Sequence, residues 1–247
     1  MGNGSLAEYL AAPTDRAVHK PERVTFEEAA AVPLAGLTAL QALRDKALVR
    51  SGHHIDRRRR GRHRTFAVQL AKGFGADVTG VQSTAALDLV RSLGADRVID
   101  YTKEDFARGE ARYDMIFDNV CDRPLADVLR VLKPGGTLVP NGGGSPDKGI
   151  SMRGLARLLA TRPFISQKIR LFVTKPNRAD LQVLAGLIQA GSVTPVIDRR
   201  YTLAAAVRRS ATSSRVTRTA RSSSQLRGAG RRVHTTAPLK TLMEGGL

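Results

Sequence analysis

Asp118, Asn119 and Val120 end the apolar run 113–120, so a strand there would deliver a carboxylate and an amide at its carboxyl end. Open α/β sheets bind ligands at that edge. Ser83 ends the β-branched run 77–83 in the same way, Thr84 opens the helical pattern after it, and Tyr101 ends the run 97–101. Gly142, Gly143 and Gly144 end the run 137–144 and suit a close approach of backbone to ligand. Residues 57–64 are of another kind: RRRRGRHR holds six arginines and no acid, a pattern suited to anions. Each position also has a plain structural use. Ser83 or Thr84 could be a helix N-cap, Tyr101 a half-buried strand aromatic, and the glycines a flexible loop.

Hydrolytic and metal chemistry find little support. The histidines are His19, His53, His54, His63 and His234, and Cys121 is the one cysteine. No Ser-His-Asp or Cys-His arrangement stands out, and a single cysteine leaves no tetrahedral zinc set. It also excludes an internal disulfide framework.

The elements that must position these residues follow from the apolar periods. Residues 4–10 read as a short edge strand. Thr25 and Glu28 have capping-box spacing, and the apolar residues through 49, interrupted by Pro33 and Gly36, suggest two helices with a break. Residues 65–75 are helical, with Gly73 and Gly75 as the stop. Strands are expected at 77–83, 97–101, 113–120 and 137–144, with helices at 84–95 and at 124–136, the latter closed by Pro134-Gly135-Gly136. Residues 151–172 read as an irregular helical insertion, 177–191 as an amphipathic helix and 193–203 as a strand. Strands alternating with helices at this pitch predict an α/β fold with a doubly wound parallel sheet.

Composition bounds the rest. The 247 residues, 42% apolar, can bury a substantial core, and no run approaches the roughly 18 apolar residues of a membrane span. The first residues lack a signal-peptide pattern. These features suggest a soluble, cytoplasmic protein without a membrane partner. The net charge of +18 points to nucleic acid, but six arginines lie in 57–64 and eight in 205–235, and without those fourteen the charge falls to +4. The basicity therefore belongs to two segments. The stretches between them lack the exposed aromatics that stack bases, so a basic nucleic-acid-binding protein is the alternative rather than the first reading. After residue 206 no apolar period of 2 or 3.6 continues, and the composition is that of a disordered tail.

Several stretches, taken in order, resemble the zinc-independent, quinone-oxidoreductase-like branch of the medium-chain dehydrogenase/reductase family. They are AAAVPLAGLTALQAL (29–43), TFAVQLAKGFGADVTGVQST (65–84), SLGADRVIDYTKEDF (92–106), YDMIFDNV (113–120), LKPGGTLV (132–139) and LIQAGSVTPVIDRRY (187–201). They also speak against a Rossmann-like methyltransferase. The resemblance implies a GroES-like β domain, then a Rossmann domain, then a return to the first. On that comparison residues 1–35 are a remnant of the catalytic domain with its linker, 36–176 the NAD(P)-binding domain, 177–204 the return segment and 205–247 an aberrant basic tail. Most of the catalytic half would be absent.

The resemblance calls for a strand after residue 50, a glycine-rich turn against the pyrophosphate, and then the helix beginning TFAVQLAK. Arginines stand in that turn, and of its glycines only Gly61 remains. Codons CGG CGC CGC CGG GGG CGT for 57–62, read one base later, give Gly-Ala-Ala-Gly-Gly-Val. From Arg208 onward a shifted frame with permitted codons gives PIRYLEQGHAHGKVVIT, which resembles the family's closing helix, glycine turn and G-K-V-V-I strand. Two slips of reading frame account for both segments, and NADPH binding by the chain as written is expected to be impaired.

The resemblance also assigns roles. Ser83 and Thr84 lie near the adenosine ribose. Without a carboxylate at that strand end there is room for a 2′-phosphate, which favours NADPH over NADH, although Leu87 stands where a basic partner often lies. Tyr101 is an adenine-side contact. Asp118, Asn119 and Val120 lie near the nicotinamide ribose, with Cys121 in place of a glycine. Gly142 and Gly143 form the nicotinamide-side turn, and Thr38 lies near the carboxamide, with helix packing as its alternative. The implied activity is hydride transfer from NAD(P)H to a quinone or an α,β-unsaturated carbonyl, without zinc, in a protein whose relatives are often homodimers. No residue is assigned a catalytic role, because the cofactor carries the chemistry.

Overall fold

A computed structural model of the protein describes residues 13–49, 53–57, 63–109, 112–121, 123–141 and 166–197, with Arg200, Thr202 and Ala205. Residues Ala11–Arg200 make one unit; Met1–Leu10 and Tyr201–Leu247 make the other, of which only Thr202 and Ala205 are described. The strand expected at 4–10, the insertion up to residue 165, the glycines Gly61, Gly142 and Gly143, and the tail beyond Ala205 lie outside the described residues.

The capping box forms. The Glu28 N–H donates to the Thr25 hydroxyl at 3.2 Å, and the Thr25 N–H donates to the Glu28 carboxylate at 2.8 Å. It starts α1 (Phe26–Ala30). After Ala31 comes α2 (Val32–Gln41), where Pro33 sits in the first turn and its missing N–H costs nothing. A wider helical turn, Ala42–Ala47, ends at Leu48 with φ of 53°. The chain continues through β1 (His53–Arg57), α3 (His63–Gly73), β2 (Asp77–Gln82), α4 (Leu87–Ser92), β3 (Arg97–Asp100), β4 (Tyr113–Asp118), α5 (Leu125–Arg130), β5 (Leu132–Pro140), β6 (Lys168–Ile169) and α6 (Arg178–Gln189).

The six strands form one sheet in the order β3-β2-β1-β4-β5-β6, and every pair is parallel. This is the doubly wound α/β fold expected from the alternation. Apolar clusters cover both faces. Val78, Met115, Phe117 and Val139 pack with α2, α3 and α6 on one side; Val81, Ile99, Ile116 and Leu138 pack with α5 on the other. Each such fully buried side chain contributes roughly 1.5–3 kcal/mol. A register shift between Tyr113 and Met115 turns Tyr113 onto the same face as Ile116. Gly80 lets α4 lie close on β2: a Cβ there would come within 2.4 Å of Val90 Cγ1.

α6 is held on α2 by a polar network. The Gln41 amide donates to Lys175 O at 2.8 Å and to the Asp180 carboxylate at 2.7 Å, and its oxygen accepts from the Lys175 N–H at 3.0 Å. Arg44 pairs with the other Asp180 oxygen at 2.8 Å. The Asn177 side chain caps α6 by accepting from the Asp180 N–H at 2.8 Å. Burial raises the Asp180 pKa, but the bonds from Arg44, Asn177 and Gln41 outweigh it, and the net displacement is downward.

Three expected elements differ. The helix at 124–136 stops at Arg130, because Leu132 already pairs with Tyr113 and the Tyr113 N–H donates to Val131 O at 2.8 Å. Pro134-Gly135-Gly136 therefore bends a strand instead of closing a helix: Gly135 has φ of 76°, and a Cβ on Gly136 would lie 2.9 Å from Lys133 O. The described end of the 151–172 segment is extended, with Lys168 and Ile169 paired to Thr137 and Leu138. Residues 194–197 are not a strand. A strand needs a neighbour for its N–H and C=O groups, and at Thr194 the Gln69 side chain takes both, accepting at 2.7 Å and donating at 3.0 Å.

Candidate functional site: the carboxyl edge of the sheet

Because all strands run in parallel, the residues that follow them collect at one edge. β2 and β3 contribute the first group. The Tyr101 N–H donates to Gln82 O at 3.0 Å, which joins the two strand ends directly. The Thr84 hydroxyl donates to Asp100 Oδ2, and the Thr102 hydroxyl and N–H donate to Asp100 Oδ1 at 2.6 and 3.0 Å. The Thr84 and Thr102 hydroxyl oxygens lie 3.3 Å apart. Hydrogen bonds from Thr102, then Thr84, hold the Asp100 carboxyl below its ordinary pKa. Ser83 precedes a short helical turn, Thr84–Ala86, and its side chain makes no capping bond. Ser83 and Tyr101 are both half-buried.

β4 and β5 contribute the second group. Asp118 is buried and accepts from the N–H groups of Val120 and Cys121, each at 2.9 Å, so its carboxylate shapes the turn after its own strand. That turn puts Cys121 at φ of 53°, a conformation glycine adopts at no steric cost. The Asn141 N–H donates to Asp118 O at 2.8 Å, and its side-chain amide donates to Asn119 Oδ1 at 2.6 Å. Between the two groups, Arg123 donates to Asp105 and lies over the Phe106 ring, 5.8 Å from its centroid. Burial raises the Asp105 pKa, but Arg123 and the Ala107 N–H pull it down further.

The sheet thus brings Ser83, Thr84 and Tyr101 together, and Asp118, Asn119 and Val120 together, on either side of β1. Thr38 is elsewhere: it is 3% exposed on α2, donates to Leu34 O at 2.7 Å and shares a 2.8 Å bond with the Thr174 hydroxyl. Sequence reasoning missed Asp100 and Asn141. Asp100 was legible as a carboxylate one residue from a strand end; Asn141 was hidden beside the glycine run. Among the described residues no group of three His, Cys, Asp or Glu side chains is placed to hold a metal ion. None of their helices is long and apolar enough to cross a membrane.

A family model described as zinc-binding dehydrogenase matches residues 93–213. The NADPH-dependent alkenal/one oxidoreductase of Arabidopsis thaliana is 34% identical over 204 residues, 79% of this chain and 45% of that protein. The quinone oxidoreductase of Pseudomonas aeruginosa is 32% identical over 225 residues, 83% of this chain and 66% of that protein. Among solved structures, an NAD-dependent alcohol dehydrogenase superposes with a TM-score of 0.67 at 25% identity, over 88% of this chain and 63% of that one. The chain belongs to the medium-chain dehydrogenase/reductase superfamily, in its quinone-oxidoreductase-like branch. It spans about half the length of the Arabidopsis relative.

Proposed function

We propose that the carboxyl edge of this sheet is a seat for a nicotinamide dinucleotide, NADPH in preference to NADH, and that the protein type is a reductase of quinones or α,β-unsaturated carbonyls. The observation that carries this is the pair of hydrogen-bonded residue groups flanking β1 in a 3-2-1-4-5-6 sheet. The cofactor supplies the hydride. Ser83, Thr84 and Tyr101 hold its adenosine half. Asp118 shapes the turn that presents Val120, and Asn119 is held by Asn141 beside the nicotinamide ribose. Gly142 and Gly143 form the neighbouring turn. Thr38, buried on α2 with its hydroxyl bonded to Leu34 O and the Thr174 hydroxyl, serves helix packing instead of the carboxamide. The Ser83 position, lacking a carboxylate, supports the 2′-phosphorylated cofactor, as does the name of the Arabidopsis relative.

The copy as written binds this cofactor weakly. The turn between β1 and α3 is where a dinucleotide pyrophosphate sits, and it contains arginines with Gly61 alone among them. β1 itself is HHIDR, although a strand paired on both sides in a parallel sheet normally reads as a run of apolar residues. The reading-frame account covers the turn.

The same reading takes residues 1–35 as the end of a catalytic domain, 36–176 as the cofactor domain and 177–204 as the return segment, with α6 still packed on α2. It makes the protein cytoplasmic, consistent with its single cysteine, and a homodimer, as its relatives often are. Amide NMR during an NADPH titration tests the seat. Shifts centred on Thr84, Tyr101, Asn119 and Asn141 are expected, even at low affinity. Shifts confined to the opposite sheet edge, or none at millimolar cofactor, would remove the assignment.

A further inference from the structure

The wider helical turn after α2 and the segment joining β6 to α6 line a solvent-open cavity of about 650 Å³. Small-molecule sites span about 300–1,000 Å³. The cavity shares no residue with the carboxyl-edge groups described above. One wall is apolar: Leu171 is 51% and Val173 82% exposed, while Phe172 between them packs against the core. The other wall is polar and has its acceptors spent. The Asp180 carboxylate receives Arg44, Gln41 and Asn177, and both oxygens of Asp45 receive Arg44. Lys175 O accepts from Gln41 and Asn177, and the Gln41 oxygen accepts from the Lys175 N–H. Donors are left over. The Lys46 and Lys175 ammonium groups have no hydrogen bond or ion pair among the described residues, and neither have the remaining N–H groups of Arg44. Three cations against two carboxylates leave the lining with one positive charge.

We infer that this cavity binds a carboxylate that carries an apolar chain. The head sits against the Arg44, Lys46 and Lys175 lining, and the chain covers Leu171 and Val173. Arg44 is preorganised for this, because Asp45 and Asp180 hold its guanidinium from two sides. Each simpler ligand satisfies one wall only. A small anion leaves the apolar wall wet and gains little from one net charge in water. An uncharged apolar ligand buries leftover donors without giving them an acceptor, which is costly. A cation finds every carboxylate oxygen on the wall already engaged. The inference stands apart from the dinucleotide reading, since it uses neither the arginine turn nor the strand ends.

Octanoate, octanol and acetate separate the two walls. Each is titrated into the whole chain while the Lys46, Val173, Lys175 and Asp180 amides are followed by NMR. Octanoate should give saturable shifts at these amides and bind about tenfold more tightly than either control, the size of one charge-assisted hydrogen bond. Replacing both exposed lysines, Lys46→Met with Lys175→Met, should bring octanoate down to the affinity of octanol without changing Tm. The pair Lys46→Arg and Lys175→Arg should keep the preference. Val173→Asp, at an exposed position, should weaken octanoate to the level of acetate. Equal binding of octanoate and octanol, or of octanoate and acetate, would overturn the inference. So would a preference that survives the double methionine variant, or no shift at these amides with millimolar octanoate.

Discussion

Asp100 and Cys121 sit at comparable places, one at and one just past the end of a strand, and the turn chemistry treats them oppositely. Asp100 is satisfied by three donors, so its ionised form is favoured in the folded state. Its folded pKa is therefore lower than its unfolded one, near 3.9. The stabilisation is complete above the unfolded pKa and disappears as pH falls through the folded one. Asp100→Asn should lower the Tm at pH 7 and flatten its fall below about pH 4; parallel melts of the two proteins from pH 7 to pH 2 measure this. Equal slopes would mean that Asp100 is not the titrating group. Cys121, by contrast, holds a left-handed conformation that costs a side chain roughly 1–2 kcal/mol. Cys121→Gly should raise stability by about 0.5–1 kcal/mol in urea melts, less than the full strain because glycine loses more entropy on folding. A loss would show that the Cys121 thiol contact with Asp118 O, at 3.4 Å, matters more than the backbone.

Among the elements, those with a strong apolar period were legible in sequence and those defined by a neighbour were not. Residues 77–83 and 113–120 read as buried strands because both faces are covered. α6 showed its inner face through Leu181, Leu184, Leu187 and Ile188, of which Leu187 is only partly buried against the core. The start of β5 was mistaken for helix, because LKPGG looks like a helix stop until Tyr113 is seen pairing with Leu132. Residues 194–197 carry strand-forming types, yet the Gln69 side chain supplies their polar partner. β1 has no apolar period at all; only the flanking β2 and β4 make it a strand. Two packing predictions follow at this scale. Gly80→Ala should cost about 1–3 kcal/mol, since the new methyl overlaps Val90 and α4 must shift. Asp180→Ala should cost about 2 kcal/mol by leaving Gln41 and Arg44 short of an acceptor, and should speed amide exchange in α6 more than in β2. Uniform acceleration of exchange would argue that the network does not hold α6 in particular.

Over the whole molecule, the described residues complete a doubly wound sheet, while the sequence after β1 departs from what the proposed cofactor seat needs. The sheet order and both core clusters are those of a doubly wound α/β domain, whereas β1 reads HHIDR and the sequence after it is arginine-rich. Of the candidate site, Ser83, Thr84, Tyr101 and the 118–120 run were legible because strand ends in a parallel sheet share an edge. The cross-links through Asp100 and Asn141 were not, because they join residues 16 to 22 apart in sequence. We expect the arginine side chains after β1 to keep backbone N–H groups from reaching a pyrophosphate, without their charge compensating. Calorimetric titration with NADPH, comparing the chain as written with one carrying Gly-Ala-Ala-Gly-Gly-Val at residues 57–62, tests it directly. Weak or undetectable binding is expected of the first and at least tenfold tighter, saturable binding of the second, the size that follows from recovering one or two charge-assisted bonds. Equal, tight and saturable binding by both would show that the arginine turn is itself a working phosphate seat.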